Sequence, residues 1–406
     1  MKKKISVGVA IVIVLFVGLI SFQAAYIILS EKYKAELDEA YTYTGTKLQK
    51  KIAELESLYG ELYINDDIDE DAILEAVCDA YVDTIDKYGS YLTAEEYAEL
   101  ISDYSAQMEG IGVHVIYNAD YDCIEVISVM PDSPALEAGL LPGDLIVYVE
   151  GKPVKELGYY PAINMIKGKA GTVTNFTVLR GKDYTERVDF SIERAVVTEQ
   201  TVWHHIIASD PTIGYIKILS FDDGTYNQFV NAVSDLRNSG CTRLVIDVRY
   251  NPGGLLTSVV DVLDYILPEG PIVRLIDKKG NVEVKYSDKS SLDMDFVVLV
   301  NGSTASAGEL FTSAIKDYGL AKIVGTQTYG KGTVQTIKLL KDGDAVSISY
   351  KLYSPPYSDN YEGVGITPDV IVELDEALSG ISIYKISDEE DNQLQKAISV
   401  LNSIDK

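Results

Sequence analysis

The spacing of apolar positions changes three times along this chain, and each change predicts a different kind of structure. Ile5 to Leu29 is almost unbroken apolar sequence. From Glu31 to Leu62 the apolar positions Ile52, Leu55, Leu58 and Tyr59 recur at helical spacing. A second helix is predicted from Asp69 to Lys87, with Ile73, Val77, Ala80, Tyr81 and Thr84 on one face. Tyr88-Gly89-Ser90 ends it, and Thr93 caps a short helix through Glu99. This stretch reads as a helical packing or dimerisation arm. From Gly110 the period shifts toward strands, at Ile111–Val115 and Cys123–Val126. Ser133 caps a short helix that starts at Pro134 and stops at Gly139. Gly143-Asp144 turns into the strand Leu145–Val149. Residues 156–166 predict a helix, and 173–180 and 186–193 predict strands.

After Val197 strand and helix alternate. Strands are predicted at Ile213–Ile218, Leu244–Val248, Ile272–Ile276, Phe296–Val300 and Lys322–Gly325. Helices are predicted at Tyr226–Asn238, Leu255–Leu267 and Ala307–Tyr318. Such alternation predicts an α/β layer structure. Val334–Leu340 and Ala345–Leu352 read as a hairpin around Asp342-Gly343-Asp344, and a last helix runs from Glu389 to Leu401. No internal repeat or low-complexity linker interrupts this order.

The first apolar run bears on location. About 20 apolar residues cross a bilayer, whereas a cleaved signal peptide has an apolar region of about 7–15. The run after Met1-Lys2-Lys3-Lys4 meets the longer requirement, so a single-pass anchor over residues 1–30 is expected. Gln23-Ala24-Ala25 leaves a cleavage site as the alternative. Three lysines before the span hold the N-terminus in the cytoplasm and put the rest of the chain outside it. No lipobox-like cysteine follows the run.

Composition narrows the function. A chain of 406 residues with 47% hydrophobic and 24% charged residues forms cores, at roughly 100–200 residues per domain. Lys+Arg 35 against Asp+Glu 62 gives a net charge of −27, which argues against a nucleic-acid partner. Cys78, Cys123 and Cys241 are far apart, so neither a disulfide framework nor a zinc knuckle is expected. The three histidines His114, His204 and His205 leave little material for a metal site. No metal or organic cofactor is expected.

Three segments carry candidate chemistry. Val297–Val300 ends in Asn301-Gly302-Ser303-Thr304-Ala305-Ser306-Ala307-Gly308-Glu309, a buried strand, a small-residue turn and a helix start. A serine there sits near free N–H groups and the positive end of a helix dipole, which stabilise an oxyanion. GxSxG is absent, and ordinary helix capping would use the same residues. Gly330-Lys331-Gly332 places a lysine in a loop that backbone can approach closely, although a solvated loop lysine has the same sequence. Asp247-Val248-Arg249-Tyr250-Asn251-Pro252-Gly253-Gly254 runs from a buried strand into a turn that can aim a backbone N–H at a carbonyl. A nucleophilic serine needs a base. His204 and His205 are neighbours near a strand, so at most one could serve.

Taken together, residues Ile73 to Leu401 resemble a C-terminal processing peptidase, of the carboxy-terminal (tail-specific) serine protease family. The resemblance rests on Tyr91-Leu92-Thr93, on the three segments above, and on Gly363-Val364-Gly365-Ile366-Thr367-Pro368-Asp369. It also rests on the ordered pattern Ser133-Pro134-Ala135…Ala138-Gly139-Leu140…Gly143-Asp144…Ile146, which resembles a bacterial protease-associated PDZ domain. The resemblance implies an α/β and β protein in five parts. These are an anchor (1–30), a helical arm (31–104), a PDZ domain (105–193), a Ser/Lys protease core (194–370) and a C-terminal helical segment (371–406). It implies Ser306 as nucleophile and Lys331 as base, 25 residues on, with Gln335 orienting the lysine. It implies the backbone N–H groups of Ala307 and Gly253 as oxyanion donors. Gly110, Ile111, Gly112 and Val113 would bind the carboxylate of a protein or peptide substrate with an apolar C-terminus, which would add a strand to the PDZ sheet. Two positions depart from the family pattern. Ser303–Glu309 replaces the commoner Ser-Ala-Ser-Ala-Ser-Glu, and Ile166-Lys167-Gly168 replaces Ile-Arg-Gly. An ammonium does not reproduce a guanidinium fork, so a regulatory role for Lys167, as a coupling to the catalytic region by contact near Gln335, is open.

A lysine, with an ordinary pKa of about 10.4, works as a base only when burial lowers it. Two other readings stand beside the protease: a membrane-anchored PDZ scaffold with an inactive protease domain, and a Ser-His hydrolase built on His204 or His205. Helical arms at both ends would suit a homodimer.

Overall fold

The structure is a computed structural model that describes residues 46–65, 67–104, 107–378 and 380–403. The expected anchor therefore lies outside the described residues. Among the described residues no helix is long and apolar enough to cross a membrane. Residues up to Leu74 belong to one compact unit and residues from Glu75 to a second. In the first, the helix Lys47–Leu62 starts at a reciprocal cap. Thr46 N–H donates to Gln49 Oε1 at 2.7 Å, and Gln49 N–H donates to Thr46 Oγ1 at 3.4 Å.

The second unit is organised around a six-stranded sheet. Its strands lie in the order Val202–Ile206, Ile213–Ile218, Arg243–Asp247, Asp295–Val300, Lys322–Gly325 and Val370–Ile371. The first pair is antiparallel and every later pair is parallel. The apolar runs are continuous because both faces are covered, as parallel strands require. Leu244, Ile246, Phe296, Val298 and Val300 face a core shared with the helices Thr225–Asn238, Leu256–Ile266 and Ala307–Tyr318. The alternate residues Val245, Val297, Leu299 and Val324 face Leu394, Ala397, Ile398 and Leu401. Those four lie on one side of the C-terminal helix Asn392–Asn402, at i, i+3, i+4 and i+7. A second sheet runs Ser90–Leu92, Ala345–Ser354, Gly270–Asp277 and Val282–Ser287, with Thr333–Leu339 paired on Ala345–Ser354.

A third sheet, Val113–Asn118, Cys123–Val129, Leu145–Val149, Val173–Arg180 and Glu186–Glu193, has its own core around Ile124, Ile146 and Val178. The chain enters and leaves this module through the antiparallel pair Gln107–Gly110 and Ala195–Thr198. Ion pairing and aromatic contact seat it on the rest. Lys385 Nζ lies 2.5 Å from Glu125 Oε2, and Trp203 packs against both His114 and Tyr384 at 5.3 Å.

The differences from the sequence expectation are local. The helix expected at 156–166 is two helices, Val154–Leu157 and Tyr159–Ile166. They break at Gly158, whose φ of 86° no helix interior tolerates. The helix begun at Thr93 continues to Tyr104 rather than ending at Glu99. Strands at Ala195–Thr198, Val282–Ser287 and Val370–Ile371 were not foreseen, because they are short or carry charge.

Candidate active site

Three adjacent parallel strands deliver the three candidate segments to one edge. The Asn251–Gly254 turn follows Arg243–Asp247, the Ser306 turn follows Asp295–Val300, and Lys331 follows Lys322–Gly325. Ligand sites of parallel sheets collect at this carboxyl edge.

The Ser306 turn is held from below. Thr304 Oγ1 donates to the Val248 carbonyl at 2.8 Å, and Ala305 N–H donates to the Asn251 carbonyl at 2.9 Å. Asn301 Oδ1 accepts from Tyr250 N–H and Ser303 N–H at 3.0 and 3.1 Å. Ser306 itself is buried, with φ 52° and ψ −115°. A side chain in that region costs about 1–3 kcal/mol and persists only where its surroundings enforce it. It caps the helix Ala307–Tyr318, and Ala307 N–H has no acceptor among the described residues. That leaves one helix-start donor free beside the serine.

Gly253 presses against this turn. A Cβ on Gly253 would stand 2.8 Å from Ser306 Cβ and 3.0 Å from Ala307 N, so only glycine fits. Its N–H donates to Asn251 Oδ1 at 2.8 Å. Gly254 N–H has no partner among the described residues, and Gly254 lines the same cleft as Ser306. Of the turn's two glycines, the sequence singled out the one whose donor is taken. Only side-chain geometry at Asn251 reveals this.

The cleft has a volume of about 580 Å³. Gln335 lines it with Ser306, and so do Leu100 and Ile101 of the arm helix Ala94–Tyr104. One wall is the strand Thr333–Leu339, whose outer edge has no partner strand among the described residues. Gln335 Nε2 donates to Thr333 Oγ1 and Ser349 Oγ, each at 3.1 Å, leaving its carbonyl oxygen without a donor among the described residues.

Lys331 is half-buried, and burial lowers its pKa from the ordinary lysine value while Glu362 and Asp86 pull the other way. Its ammonium lies over the Tyr88 ring, 5.2 Å from the centroid. Among the described residues no hydrogen bond joins it to Ser306 Oγ. The two loops are joined through Glu309, which is fully buried. Glu309 Oε2 accepts from Ser306 N–H at 3.0 Å and from Lys331 N–H at 2.8 Å. Oε1 accepts from Thr328 Oγ1 at 2.6 Å and Gly330 N–H at 2.7 Å. The sequence showed Glu309 as the last residue of the Ser303–Glu309 motif and gave it no role; its position three residues after Ser306 is the signal that it reaches back.

Beneath the Asn251 turn lies a buried ionic group. Arg249 makes bonds of 2.6 and 2.9 Å to Asp247 Oδ2 and 2.7 Å to Asp391 Oδ2. Lys217 Nζ donates to the Arg249 carbonyl at 3.1 Å, and Tyr215 OH donates to Asp247 at 2.6 Å. Burial alone would raise the Asp247 carboxyl, but Arg249 and Lys217 hold it well below the usual carboxylate range. Sequence reading stopped at the Asp247–Gly254 motif and missed Lys217 and Asp391, which come from distant strands and helices.

The histidines lie elsewhere. His205 Nε2 is 2.8 Å from Asp388, His204 Nε2 is 3.6 Å from Asp235, and neither lines the cleft. His114 is in the Val113–Asn118 strand against Trp203.

The other candidate residues gather in a separate groove of about 60 Å³, lined by Gly110, Ile111, Gly112 and Val113 with Ile163, Ile166 and Lys167. The Ile111 and Gly112 carbonyls accept from Ala135 and Met130, while their N–H groups have no partner among the described residues. Lys167 is exposed at the groove's rim, and no hydrogen bond or ion pair connects it to Gln335 among the described residues. No group of His, Cys, Asp and Glu among the described residues could hold a metal ion.

Comparison with known proteins agrees with this layout. The model described as peptidase family S41 matches residues 212–372, and a PDZ domain model matches residues 125–180. The carboxy-terminal-processing protease of Bartonella bacilliformis is 32% identical over 313 residues, covering 75% of this chain and 70% of that protein. The "Probable CtpA-like serine protease" of Staphylococcus aureus is 32% identical over 334 residues, or 80% of this chain and 66% of that one. In fold, the structure of a "Putative S41 protease" from Bacteroides fragilis covers 86% of this chain and 95% of its own, at a TM-score of 0.54 and 17% identity.

Proposed function

The chain belongs to the carboxy-terminal-processing serine proteases of peptidase family S41, and from that premise we propose that it is a Ser-Lys endopeptidase. In this reading it cuts protein substrates that it captures by their C-terminal tails. The observation that carries the reading is the Glu309 bridge, which ties the Ser306 and Lys331 backbones to one carboxylate. In the proposed mechanism neutral Lys331 takes the Ser306 proton as the hydroxyl attacks the peptide carbonyl. The oxyanion is met by Ala307 N–H and by a glycine N–H of the Asn251–Gly254 turn. Lys331 then protonates the leaving amine, and water hydrolyses the acyl-enzyme. The carbonyl oxygen of Gln335, which meets no donor among the described residues, suits an acceptor for the lysine N–H groups. The edge of Thr333–Leu339, which has no partner strand among the described residues, suits an extended substrate segment, and the Gly110–Val113 groove suits the carboxylate end. The N-terminal run supports a single-pass anchor with the catalytic part outside the cytoplasm.

The test is cleavage of an unfolded protein substrate by the full chain and by Ser306→Ala and Lys331→Ala. Both variants are expected to fold and to lose proteolysis to a similar degree, because nucleophile and base act as a unit. Activity comparable to wild type in either removes that residue from the mechanism.

A further inference from the structure

The segment that follows the helix Glu70–Ile85 docks on the loop that carries Lys331 and on the neighbouring strand Ala345–Ser354. Asp86 Oδ1 accepts from Ser349 Oγ at 2.9 Å and Asp86 Oδ2 accepts from Ser349 N–H at 2.7 Å; that same Ser349 hydroxyl holds Gln335. Tyr88 OH donates to Glu362 Oε1 at 2.9 Å, and Glu362 Oε2 accepts from Gly332 N–H at 2.6 Å. The Tyr88 ring covers the Lys331 ammonium at 5.2 Å. Ser90–Leu92 pairs with Ala345–Ser347 and fixes the whole segment to the sheet.

We propose that Tyr88 is a positioning residue for the general base: its ring roofs the Lys331 ammonium, and its hydroxyl, through Glu362, holds the loop on which the lysine stands. The proposal rests on the reading of Lys331 as the base. Its physical content is a balance. The ring keeps water from one side of the ammonium and so favours the neutral amine, which is the form a base needs. Its π face attracts the charged form, but more weakly than full hydration would. Asp86 and Glu362 are the acids that favour the charged form. Lys87 Nζ also meets this ring, 4.6 Å from its centroid, and donates to Tyr88 OH at 2.9 Å, while Glu309 holds the Lys331 backbone. Tyr88 therefore touches both the base, through its ring, and the carboxylate that would keep it protonated, through its hydroxyl, and it couples the placement of the segment Asp86–Leu92 to the readiness of the site.

The proposal is tested by the pH profile of kcat/KM for the full chain, whose acid limb reports the base of the free enzyme. Tyr88→Ala admits water and is expected to move that limb upward by about one pH unit. Glu362→Gln removes an acid yet keeps an acceptor for Gly332, and is expected to move the limb downward by about half a unit. Tyr88→Phe keeps the roof and should restore the limb to near the wild-type position. A Tyr88→Ala profile that is lowered uniformly, with the limb unmoved, would mean a structural anchor only and overturns the proposal. So does a Glu362→Gln limb that stays in place. Lys331→Ala separates the two ideas: full activity in that variant removes the base assignment itself, whereas an inactive Lys331→Ala together with unmoved limbs in Tyr88→Ala and Glu362→Gln removes only the role of Tyr88.

Discussion

Ser306 and Lys331 donate their backbone N–H groups to the same atom, Oε2 of Glu309, at 3.0 and 2.8 Å. The relationship explains how a strained serine and a glycine-flanked lysine, 25 residues apart, are kept in register. A carboxylate offers acceptors only, and Glu309 meets four donors with them.

Glu309→Gln is the sharpest probe of that bridge. Whichever way the amide turns, its NH2 faces two donors that have lost their acceptor, at about 1–3 kcal/mol for each buried group left unsatisfied. The expected result is a folded protein with a lowered melting temperature and a kcat reduced by about 100-fold, since small misplacements in a site cost that much. KM should change little, because Glu309 faces the loops and not the cleft. Steady-state kinetics with wild-type kcat would show that the two loops hold their places without the bridge.

The buried ionic group makes a second prediction, about stability. Asp391 caps the C-terminal helix through Gln393 and Leu394 N–H and also pairs with Arg249. Asp391→Ala removes the cap and leaves Arg249 with one acid fewer, which is expected to cost about 3–5 kcal/mol in urea unfolding. pH gives a related expectation. Because the folded Asp247 carboxyl is held below its unfolded value, its contribution is present above the unfolded pKa, near 3.9, and is lost as pH falls below it. Wild-type stability should therefore drop steeply on the acid side, and a flat stability profile below pH 4 would contradict the assignment.

A third prediction concerns the histidines. His204→Ala and His205→Ala should keep most proteolytic activity, because their nearest acids are Asp235 and Asp388 and neither ring lines the cleft. Loss of cleavage in a folded variant would revive a serine–histidine pair.

These cases also show what was legible in the chain. The unbroken apolar runs Leu244–Val248 and Phe296–Val300 mark buried strands, and with the helices between them the α/β layer could be read directly; that the strands run parallel appears only in the structure. Ser306, Lys331 and Gln335 were singled out through the family resemblance, and the structure brings Ser306 and Gln335 to one cleft and ties the Ser306 and Lys331 backbones to Glu309. Arg249 was quoted in a motif but its partners were not visible, since Asp391 is 142 residues away and meets it only when the C-terminal helix packs. Tyr88 read as the end of a helix, because nothing local says that its ring will meet Lys331. The choice between Gly253 and Gly254 depends on where one asparagine oxygen points, which no sequence pattern encodes.

The last prediction concerns tail capture. Ile111 and Gly112, whose N–H groups have no partner among the described residues, line a groove with Ile163 and Ile166, and Lys167 stands exposed at its rim. N–H groups in a loop bind a carboxylate and have little to offer an amide, and the small apolar volume suits a short aliphatic side chain at the terminus. A peptide ending in a free apolar residue should therefore raise cleavage of a second substrate, and its C-terminal amide should not. A ligand shifts an equilibrium only by what it binds differently, so equal responses to acid and amide would remove tail recognition from the function. Lys167 adds an exposed positive charge at the rim of this groove, and no hydrogen bond or ion pair links it to Gln335 among the described residues. Its removal in Lys167→Ala should weaken the acid peptide's effective concentration by about two- to fivefold, the size of an exposed ion pair, and leave the maximal response unchanged. A lowered maximum at saturating peptide would instead mean that Lys167 transmits the signal, and titration of the acid peptide against both proteins separates the two outcomes.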